Sequence, residues 1–248
     1  MKQVLTIFSF LVATAFGTKP DILNTLTKAE KRDGWQLLFD GKTTNGWRGA
    51  YKDAFPEAGW VVENGELMVQ KSNGKESQSF GDIVTTGEYG QFDLRFDFRL
   101  TDGANSGVKY FVAEASPKPA GSAFGLEFQV LDDARHPDAK LGRDGNRTVG
   151  SLYDLIPAKS TKQVRPNGNW NRGRVLVQGT HVEHWLNGRK VVEYERGSEA
   201  FRSLVAQSKY AAPQYNMNGR FGEASKGHIL LQEHGDQVAF RNIKIKSL

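Results

Sequence analysis

The chain has 248 residues, no cysteine and a formal charge of +5, and 38% of its residues are hydrophobic. This composition excludes a disordered chain and a small disulfide-stapled domain, so a hydrophobic core must stabilise the fold. The basic residues stand singly among acidic ones, which argues against nucleic acid as a partner.

The first residues have the layout of a secretory signal peptide. Lys2 precedes an apolar run over residues 4–16, and the small residues Ala15 and Gly17 follow near its end. The run is short for a membrane span. We therefore expect residues 1–17 to be removed after Ala15 or Gly17, leaving a periplasmic or secreted protein without membrane contact. An uncleaved anchor is the alternative.

The best helical candidate follows directly. Over Asp21–Arg32, the apolar residues Ile22, Leu23 and Leu26 recur at helical spacing. We expect a short helix in an N-terminal segment over residues 18–33, ahead of the main domain.

From Gly34 to the C-terminus, short alternating runs separated by glycine and asparagine predict strands. Asn64-Gly65 and Asn187-Gly188 each lie between two such runs, which is the strongest short hairpin signal. The absence of a strand–helix–strand rhythm predicts an all-β antiparallel sandwich or barrel in one domain over residues 34–248. The runs are WQLLFD, WVVENGELMVQ, GDIVTT, FDLRFDFRLT, SGVKYFVAE, GLEFQVLD, GSLYDLI, GRVLVQGTHVEHWLNGRKVVEYE, GHILLQEHG and VAFRNIKIK.

The run FDLRFDFRL is the most regular of these. Its phenylalanines and leucines predict one core-facing side, and its aspartates and arginines alternate on the other. We interpret that polar side as solvated surface crossed by salt bridges.

Several other runs place polar residues where a sheet face should be. Glu127 and Gln129 alternate with apolar residues, as do Asn105 and Lys109. In GHILLQEHGD, the polar members are His228, Gln232 and His234. Any one of them alone would be expected to point to solvent, but together they suit a ligand rich in hydroxyl groups. Tryptophans that could stack on a sugar are Trp60, Trp170 and Trp185, although burial in the core is their commoner use.

The pattern gives little support to a two-carboxylate glycosidase. Such enzymes hold two carboxyl groups roughly 5 Å apart for retention or about 6.5–9.5 Å apart for inversion. Glu127 and Asp132 would lie on opposite faces and roughly 16 Å apart on an unbroken strand. The pair survives only if the loop after Leu131 folds back.

Other chemistries have weaker support. The sequence lacks G-x-S-x-G, H-E-x-x-H and a glycine-rich phosphate loop, so no cofactor is expected. His181 and His184 in HVEH fall on opposite faces of a strand, which is poor for zinc. The Asp- and Gly-rich stretch Asp132–Asn146 fits no calcium-loop spacing. We assign no metal ligands.

The sequence resembles the 3-keto-disaccharide hydrolase domain family, formerly a domain of unknown function, over Gly34 to the C-terminus. The resemblance implies a concanavalin A-like jelly-roll sandwich of two antiparallel sheets with a carbohydrate cleft on the concave face. It also implies hydrolysis of small glycosides already oxidised to a ketone at C3. The matching segments are GWQLLFDGKTTNGWRG, GDIVTTGEYGQFDLRFDFRL, ANSGVKYFV, GLEFQVLDD with HPDA, GSLYDLIPA, VEHWLNGRKVVEYE and GHILLQEHGDQVAFRNIKI.

That activity removes the need for two carboxylates. The ketone acidifies the C2 proton, so one base can start an elimination that expels the aglycone from C1, and water then adds to the enone. Glu127 or His234 is the expected base, Lys109 or Arg147 would stabilise the enolate oxygen, and His136 would act as acid. The residues expected to bind hydroxyls or stack on the substrate are Asn105, Gln129, Asp132, Arg147, Tyr153, Trp185 and Gln232.

Two alternatives remain at this point. A non-catalytic carbohydrate-binding module would need only the aromatic and amide groups, and fold alone does not separate it from an enzyme. Convergence of Lys109, Glu127, His136 and His234 in one pocket would favour the enzyme. A structural domain of a cell-surface complex is the weakest alternative.

Overall fold

The computed structural model describes residues 22–72, 81–114, 123–216 and 219–248. The expected signal peptide lies outside these ranges. Among the described residues, no helix is long and apolar enough to cross a membrane. The strands are β1 Trp35–Leu37, β2 Trp47–Gly49, β3 Trp60–Glu63, β4 Glu66–Val69, β5 Ile83–Thr85, β6 Phe92–Leu100, β7 Asn105–Ala113, β8 Phe124–Leu131, β9 Asn171–Gln178, β10 His181–Leu186, β11 Arg189–Glu195, β12 His228–Leu231 and β13 Val238–Ser247.

These strands form two antiparallel sheets packed face to face. One, here called the back sheet, has the order β11-β10-β9-β6-β13-β4-β3, with β1 also paired to β13. The other, the front sheet, has the order β2-β5-β12-β7-β8. The expected all-β jelly-roll sandwich of two antiparallel sheets is therefore confirmed.

The core lies between the two sheets and follows from the alternation along the strands. On β6 the phenylalanines and leucines are fully buried, and Phe96 meets Phe128 of the front sheet edge to face at 5.3 Å. Both predicted hairpins form: Asn64 and Gly65 join β3 to β4, and Asn187 and Gly188 join β10 to β11, all four with positive φ.

A buried polar chain crosses this core. The Tyr110 hydroxyl of β7 lies 2.8 Å from both the Tyr194 hydroxyl and His184 Nε2, which belong to the back sheet. On the other side of the ring, His184 Nδ1 donates to the Gly150 carbonyl oxygen at 3.1 Å. Burial lowers the pKa of His184 to about 4, so this histidine is neutral near pH 7. The chain ties both sheets to the loop that contains Gly150.

Helices are few and short. The first, α1, spans only Lys28–Arg32, so the prediction over Asp21–Arg32 was too long. It begins at a capping box between Thr27 and Glu30, which fixes the start of the helix. The second, α2, spans Glu199–Ala206, and two short 3-10 helices cover Pro137–Lys140 and Lys209–Ala211.

Three local predictions differ from the structure. The run over residues 150–156 forms turns held by isolated bridges of Leu152 to Phe128 and Ile156 instead of a strand. On β7, Phe111 has φ 54° and the pairing register with β8 shifts there, so Phe111 joins the core and Val112 turns to the other face. On β6, Asp93 and Asp97 are buried beneath arginines, so this side is less solvated than expected.

Candidate active site

One face of the front sheet, the face turned away from the back sheet, brings the predicted polar residues together. Directly paired residues on adjacent strands project to the same face. Such a row crosses the sheet from Arg48 through Val84, Leu230 and Lys109 to Glu127. Lys109 and Glu127 are therefore cross-strand neighbours, as their alternation predicted. We call this surface the site face.

Glu127 and Lys109 form the floor of the candidate site, which is called the cleft below. The Lys109 Nζ lies 4.0 Å from Glu127 Oε2, and only 6% and 4% of the two side chains are exposed. With the side-chain amide of Gln129 oriented to satisfy its partners, its nitrogen donates to Glu127 Oε1 at 3.1 Å. The carboxylate is thus held by an ammonium on one side and an amide on the other.

Gly107 makes room for this carboxylate. It faces Gln129 across the β7–β8 pair, and a Cβ at Gly107 would lie 2.0 Å from Glu127 Oε1. Any larger residue at this position would therefore displace the Glu127 side chain.

Burial raises the pKa of the Glu127 carboxyl. The positive charges of Lys109, Lys209 and His234 act against this rise, and the negative charge of Asp82 adds to it. A carboxylate whose pKa is raised is a stronger base, which suits proton abstraction from carbon.

The loop after β8 forms one wall of the cleft. The Tyr153 backbone N–H donates to the Glu127 carbonyl oxygen at 3.0 Å, and its hydroxyl donates to Asp138 Oδ2 at 2.9 Å. Arg147 binds Asp138 at 2.8 Å and Asp154 at 2.7 Å. Burial, followed by the charge of Glu127, raises the pKa of Tyr153 well above its ordinary value, so its hydroxyl stays protonated.

Lys209 stands at the mouth of the cleft on a segment that the sequence analysis did not single out. Its Nζ lies 4.2 Å from the centre of the Tyr153 ring, 5.2 Å from that of Tyr210 and 6.0 Å from that of Tyr215. Its backbone N–H donates to Asp154 Oδ2 at 2.8 Å, which anchors the segment to the wall. A lysine followed by two nearby tyrosines in a long loop is the signal that could have identified it.

The opposite end of the site face carries the predicted amides. The Gln232 backbone N–H donates to the Gly107 carbonyl oxygen at 3.0 Å, and the side-chain amides of Asn105 and Gln129 lie 3.2 Å apart. His234 is half-buried beyond Gln232. Asn105, Gln129 and Gln232 are all buried, and each carries an amide that can both donate and accept hydrogen bonds.

Comparisons with known proteins identify the domain that carries this cleft. Residues 34–246 match the family model described as a 3-keto-alpha-glucoside-1,2-lyase-like domain. The chain belongs to this family. A 3-keto-disaccharide hydrolase of Bacteroides thetaiotaomicron is 37% identical over 231 residues, which cover 87% of this chain and 79% of that relative.

Solved structures of relatives support the same assignment. A protein described as a glycosyl hydrolase of Parabacteroides distasonis has a TM-score of 0.77 and 32% identity, and the match covers 91% of this chain and 99% of the other. A second from the same organism has a TM-score of 0.62 and 29% identity, covering 86% and 99%. This member of the 1,2-lyase-like family is thus a glycoside hydrolase-type enzyme acting on a small carbohydrate.

Not every residue predicted for the site of this lyase-like domain joins the floor. The Trp185 Nε1–H donates to Glu183 Oε2 at 2.6 Å, and Arg174 lies over its ring, on the outer face of the back sheet. Trp170 stacks beneath Arg241 on the same outer face. Trp60 is buried, and its indole N–H donates to Gly81.

Two predicted residues have structural partners in the loop after β8. His136 Nδ1 accepts from the Asp138 N–H at 3.2 Å and caps a short helix. Asp132 accepts from the Gly103 N–H and the Asn167 amide, both at 2.8 Å. Both residues shape the loop on which Asp138, Arg147 and Tyr153 stand.

The HVEH histidines separate as expected. His184 lies in the core, whereas His181 shares the outer face of the back sheet with Glu183 and Glu193, and their ligand atoms lie within 4.8 Å of one another. The Lys190 ammonium lies 3.0 Å from Glu183 and 2.7 Å from Glu193. Lys190 thus already pairs with both carboxylates, so the group carries no metal assignment.

Proposed function

We propose that this chain is an exported enzyme that cleaves 3-keto-glycosides by elimination across C1 and C2, followed by hydration. The observation that carries the proposal is the buried carboxylate of Glu127 beside the Lys109 ammonium at 4.0 Å. The description of the family as 1,2-lyase-like and the keto-disaccharide hydrolase from Bacteroides thetaiotaomicron support the same chemistry.

In the first half of the reaction, Glu127 removes the C2 proton. The electron pair of the C–H bond forms the enolate, and its negative oxygen at C3 needs a cation or a hydrogen-bond donor. Lys109, next to Glu127 on the floor, is the proposed donor. Arg147 is a poorer candidate because Asp138 and Asp154 already bind its guanidinium.

In the second half, the enolate collapses. The C3 carbonyl re-forms, a C1–C2 double bond appears and the aglycone leaves with the electrons of the C1–O bond. The Glu127 proton exchanges with solvent after the aglycone departs. Water then adds at C1, and Glu127 protonates C2, so the base is regenerated. The amides of Asn105, Gln129 and Gln232 would hold the sugar hydroxyls during both steps.

Glu127 is preferred to His234 as the base. Glu127 is buried at the floor and Lys109 lies beside it, whereas His234 is half-buried beyond Gln232. Desolvation strengthens the Glu127 carboxylate as a base.

The proposal is tested with a chromogenic 3-keto-glucoside and its unoxidised parent. Release of the aglycone from the keto form alone is the expected result, with one deuterium at C2 of the product when the reaction runs in heavy water. Release from both forms would contradict the elimination route and favour direct hydrolysis. Saturable sugar binding without any release would indicate a binding module.

Export is tested separately. The proposal expects a mature N-terminus after Ala15 or Gly17 and recovery of the protein outside the cytoplasm. Mass spectrometry of the protein from cell fractions would measure both. An intact N-terminus on cytoplasmic protein would contradict export without affecting the proposed reaction.

A further inference from the structure

The elimination needs a group that gives a proton to the departing oxygen, and the floor residues are already assigned. Alkoxide aglycones are poor leaving groups, so this proton transfer is worth about 10²–10⁴-fold in rate. We place the aglycone toward the exposed end of the cleft, so the donor must stand above the floor. The following inference rests on the function proposed above.

Two wall residues are unsuitable donors, and a third is a competitor that the test below must separate from Lys209. The Tyr153 hydroxyl already donates to Asp138 Oδ2 at 2.9 Å. His136 Nδ1 accepts the Asp138 N–H at the start of a short helix, which leaves Nε2 as its proton-bearing nitrogen; leaving-group selectivity in His136→Gln instead of Lys209→Met would assign the acid role to His136. Arg147 binds two carboxylates, and a guanidinium does not release its proton near neutral pH.

Lys209 satisfies the geometric requirements. It retains access to solvent, and its ammonium lies 4.2 Å from the centre of the Tyr153 ring, on the wall next to Glu127. No carboxylate oxygen of the described residues lies within 4.0 Å of its Nζ. The ring faces of Tyr153, Tyr210 and Tyr215 hold the ammonium without accepting its protons as a carboxylate would.

We propose that Lys209 is a catalytic residue which protonates the glycosidic oxygen as the C1–O bond breaks. The aglycone leaves as a neutral alcohol, and Lys209 becomes a neutral amine. When water adds at C1, that amine accepts the proton released by the water while Glu127, after its proton has exchanged with solvent, protonates C2. Both residues therefore end the cycle in the protonation states in which they began.

The electrostatic surroundings are compatible with this exchange. Desolvation by the surrounding protein lowers the pKa of Lys209, and the charges of Lys109 and Arg147 lower it further, whereas those of Glu127 and Asp154 raise it. An amine whose pKa is lowered toward neutrality is effective both as an acid and, after losing its proton, as a base.

The test varies the leaving group of the 3-keto-glucoside between 4-nitrophenol and methanol. Nitrophenolate leaves without protonation, whereas methoxide requires it. We expect Lys209→Met to lower kcat about 10²–10⁴-fold on the methyl glycoside and only a few-fold on the nitrophenyl glycoside. Lys209→Arg, which keeps the charge, should show the same selectivity because arginine does not give up a proton.

Lys226→Met is the matched control. Lys226 is an exposed lysine that pairs with Glu88 at 2.7 Å, so its replacement should leave both substrates unaffected. An equal loss on both leaving groups in Lys209→Met would overturn the acid role. The leaving-group selectivity appearing in His234→Gln instead would also overturn it and assign that role to His234.

Exchange of the C2 proton separates this inference from the proposed function. Lys209→Met should still exchange C2–H for deuterium on the methyl glycoside in heavy water, because Glu127 remains. Glu127→Gln should abolish that exchange. If wild-type enzyme neither exchanges C2 nor releases an aglycone from any keto substrate, the proposed function fails; if only the selectivity is missing, the Lys209 inference fails alone.

Discussion

The outer face of the back sheet and the site face of the front sheet each carry a buried carboxylate, yet these two carboxylates are paired differently. On the back sheet, Asp93 accepts bidentate contacts from Arg174 at 2.8 and 3.0 Å and further hydrogen bonds from Arg95. On the site face, Glu127 has one ammonium at 4.0 Å and an amide. Both carboxylates are buried.

This difference in pairing indicates which buried carboxylate can act as a base. Two guanidiniums whose hydrogen bonds occupy both oxygens of a carboxylate satisfy it, so it contributes to structure. A carboxylate with incomplete pairing in a desolvated cleft keeps a raised pKa and can take a proton. Burial and charge alone do not separate the two faces; the completeness of the pairing does.

The largest expected effect is that of Glu127→Gln. The amide is isosteric but cannot accept the C2 proton, so kcat should fall by about 10²–10⁴-fold or more. Because folding raises the pKa of Glu127, the ionised side chain opposes folding near pH 7, and the variant should be as stable as wild type or more so. Steady-state kinetics and thermal unfolding measure both quantities. Turnover near the wild-type level would remove Glu127 as the base.

The second largest loss of kcat is expected for Gly107→Ala. The added Cβ would lie 2.0 Å from Glu127 Oε1, against 3.4 Å for an ordinary contact, so the carboxylate must move. A displacement of this size should lower kcat by roughly 100-fold. Gly173→Ala is the matched control on the back sheet, where the Cβ would lie 2.4 Å from the Phe96 ring.

That control should lose stability and keep its activity per folded molecule, because Phe96 lies in the core away from the cleft. Loss of catalysis in Gly173→Ala, or full catalysis in Gly107→Ala, would contradict the assignment of catalysis to the site face and of structure to the back sheet.

Asp93→Asn should lower stability and leave activity unchanged, which is the reverse of the result expected for Glu127→Gln. Removing this carboxylate leaves Arg95 and Arg174 without their partner, which we expect to cost about 2 kcal/mol of unfolding free energy because both arginines are partly exposed. Activity per folded molecule should not change. Denaturant unfolding at matched pH measures the cost, and a stabilised variant would contradict the structural role of the pair.

The smallest effect concerns His184, which lies between the two sheets. Its pKa is lowered to about 4 in the folded protein, so the unfolded chain binds its proton first as the pH falls and stability decreases below about pH 6.5. Between pH 6.5 and 5.5 this amounts to about 1 kcal/mol.

His184→Gln lacks this titration. Although it should be less stable than wild type at pH 7, because Tyr110 and Gly150 lose their partner, the stability difference should narrow by about 1 kcal/mol over that pH interval. Urea unfolding at the two pH values gives the difference, and a constant gap would contradict the neutral, buried histidine.

The sheets and the site face could be predicted from the sequence because alternation is a local property. Glu127, Gln129 and Lys109 share a face through the period of a strand, and the two Asn-Gly turns specify their hairpins. These features need no knowledge of which distant segments meet.

The remaining features depend on contacts between segments that are distant in the sequence. The bulge at Phe111 is stabilised where the Arg196 guanidinium lies 3.9 Å from its ring centre, a contact between distant segments. Lys209 reaches the cleft because Asp154 binds its backbone, and Trp185 faces away because its strand belongs to the other sheet. No alternation along a single strand contains this information.

The buried chain from Tyr194 through Tyr110 and His184 to Gly150 has a dynamic consequence for the cleft. The Gly150 N–H also donates to the Gln129 carbonyl oxygen at 2.8 Å, and the Gln129 N–H donates to Ser151 at 3.1 Å. The turn before Tyr153 is therefore fastened to both layers of the sandwich. We expect the amide protons of Gly150 and Gln129 to exchange with solvent as slowly as those of the central strands, which would make the tyrosine wall a fixed boundary of the cleft.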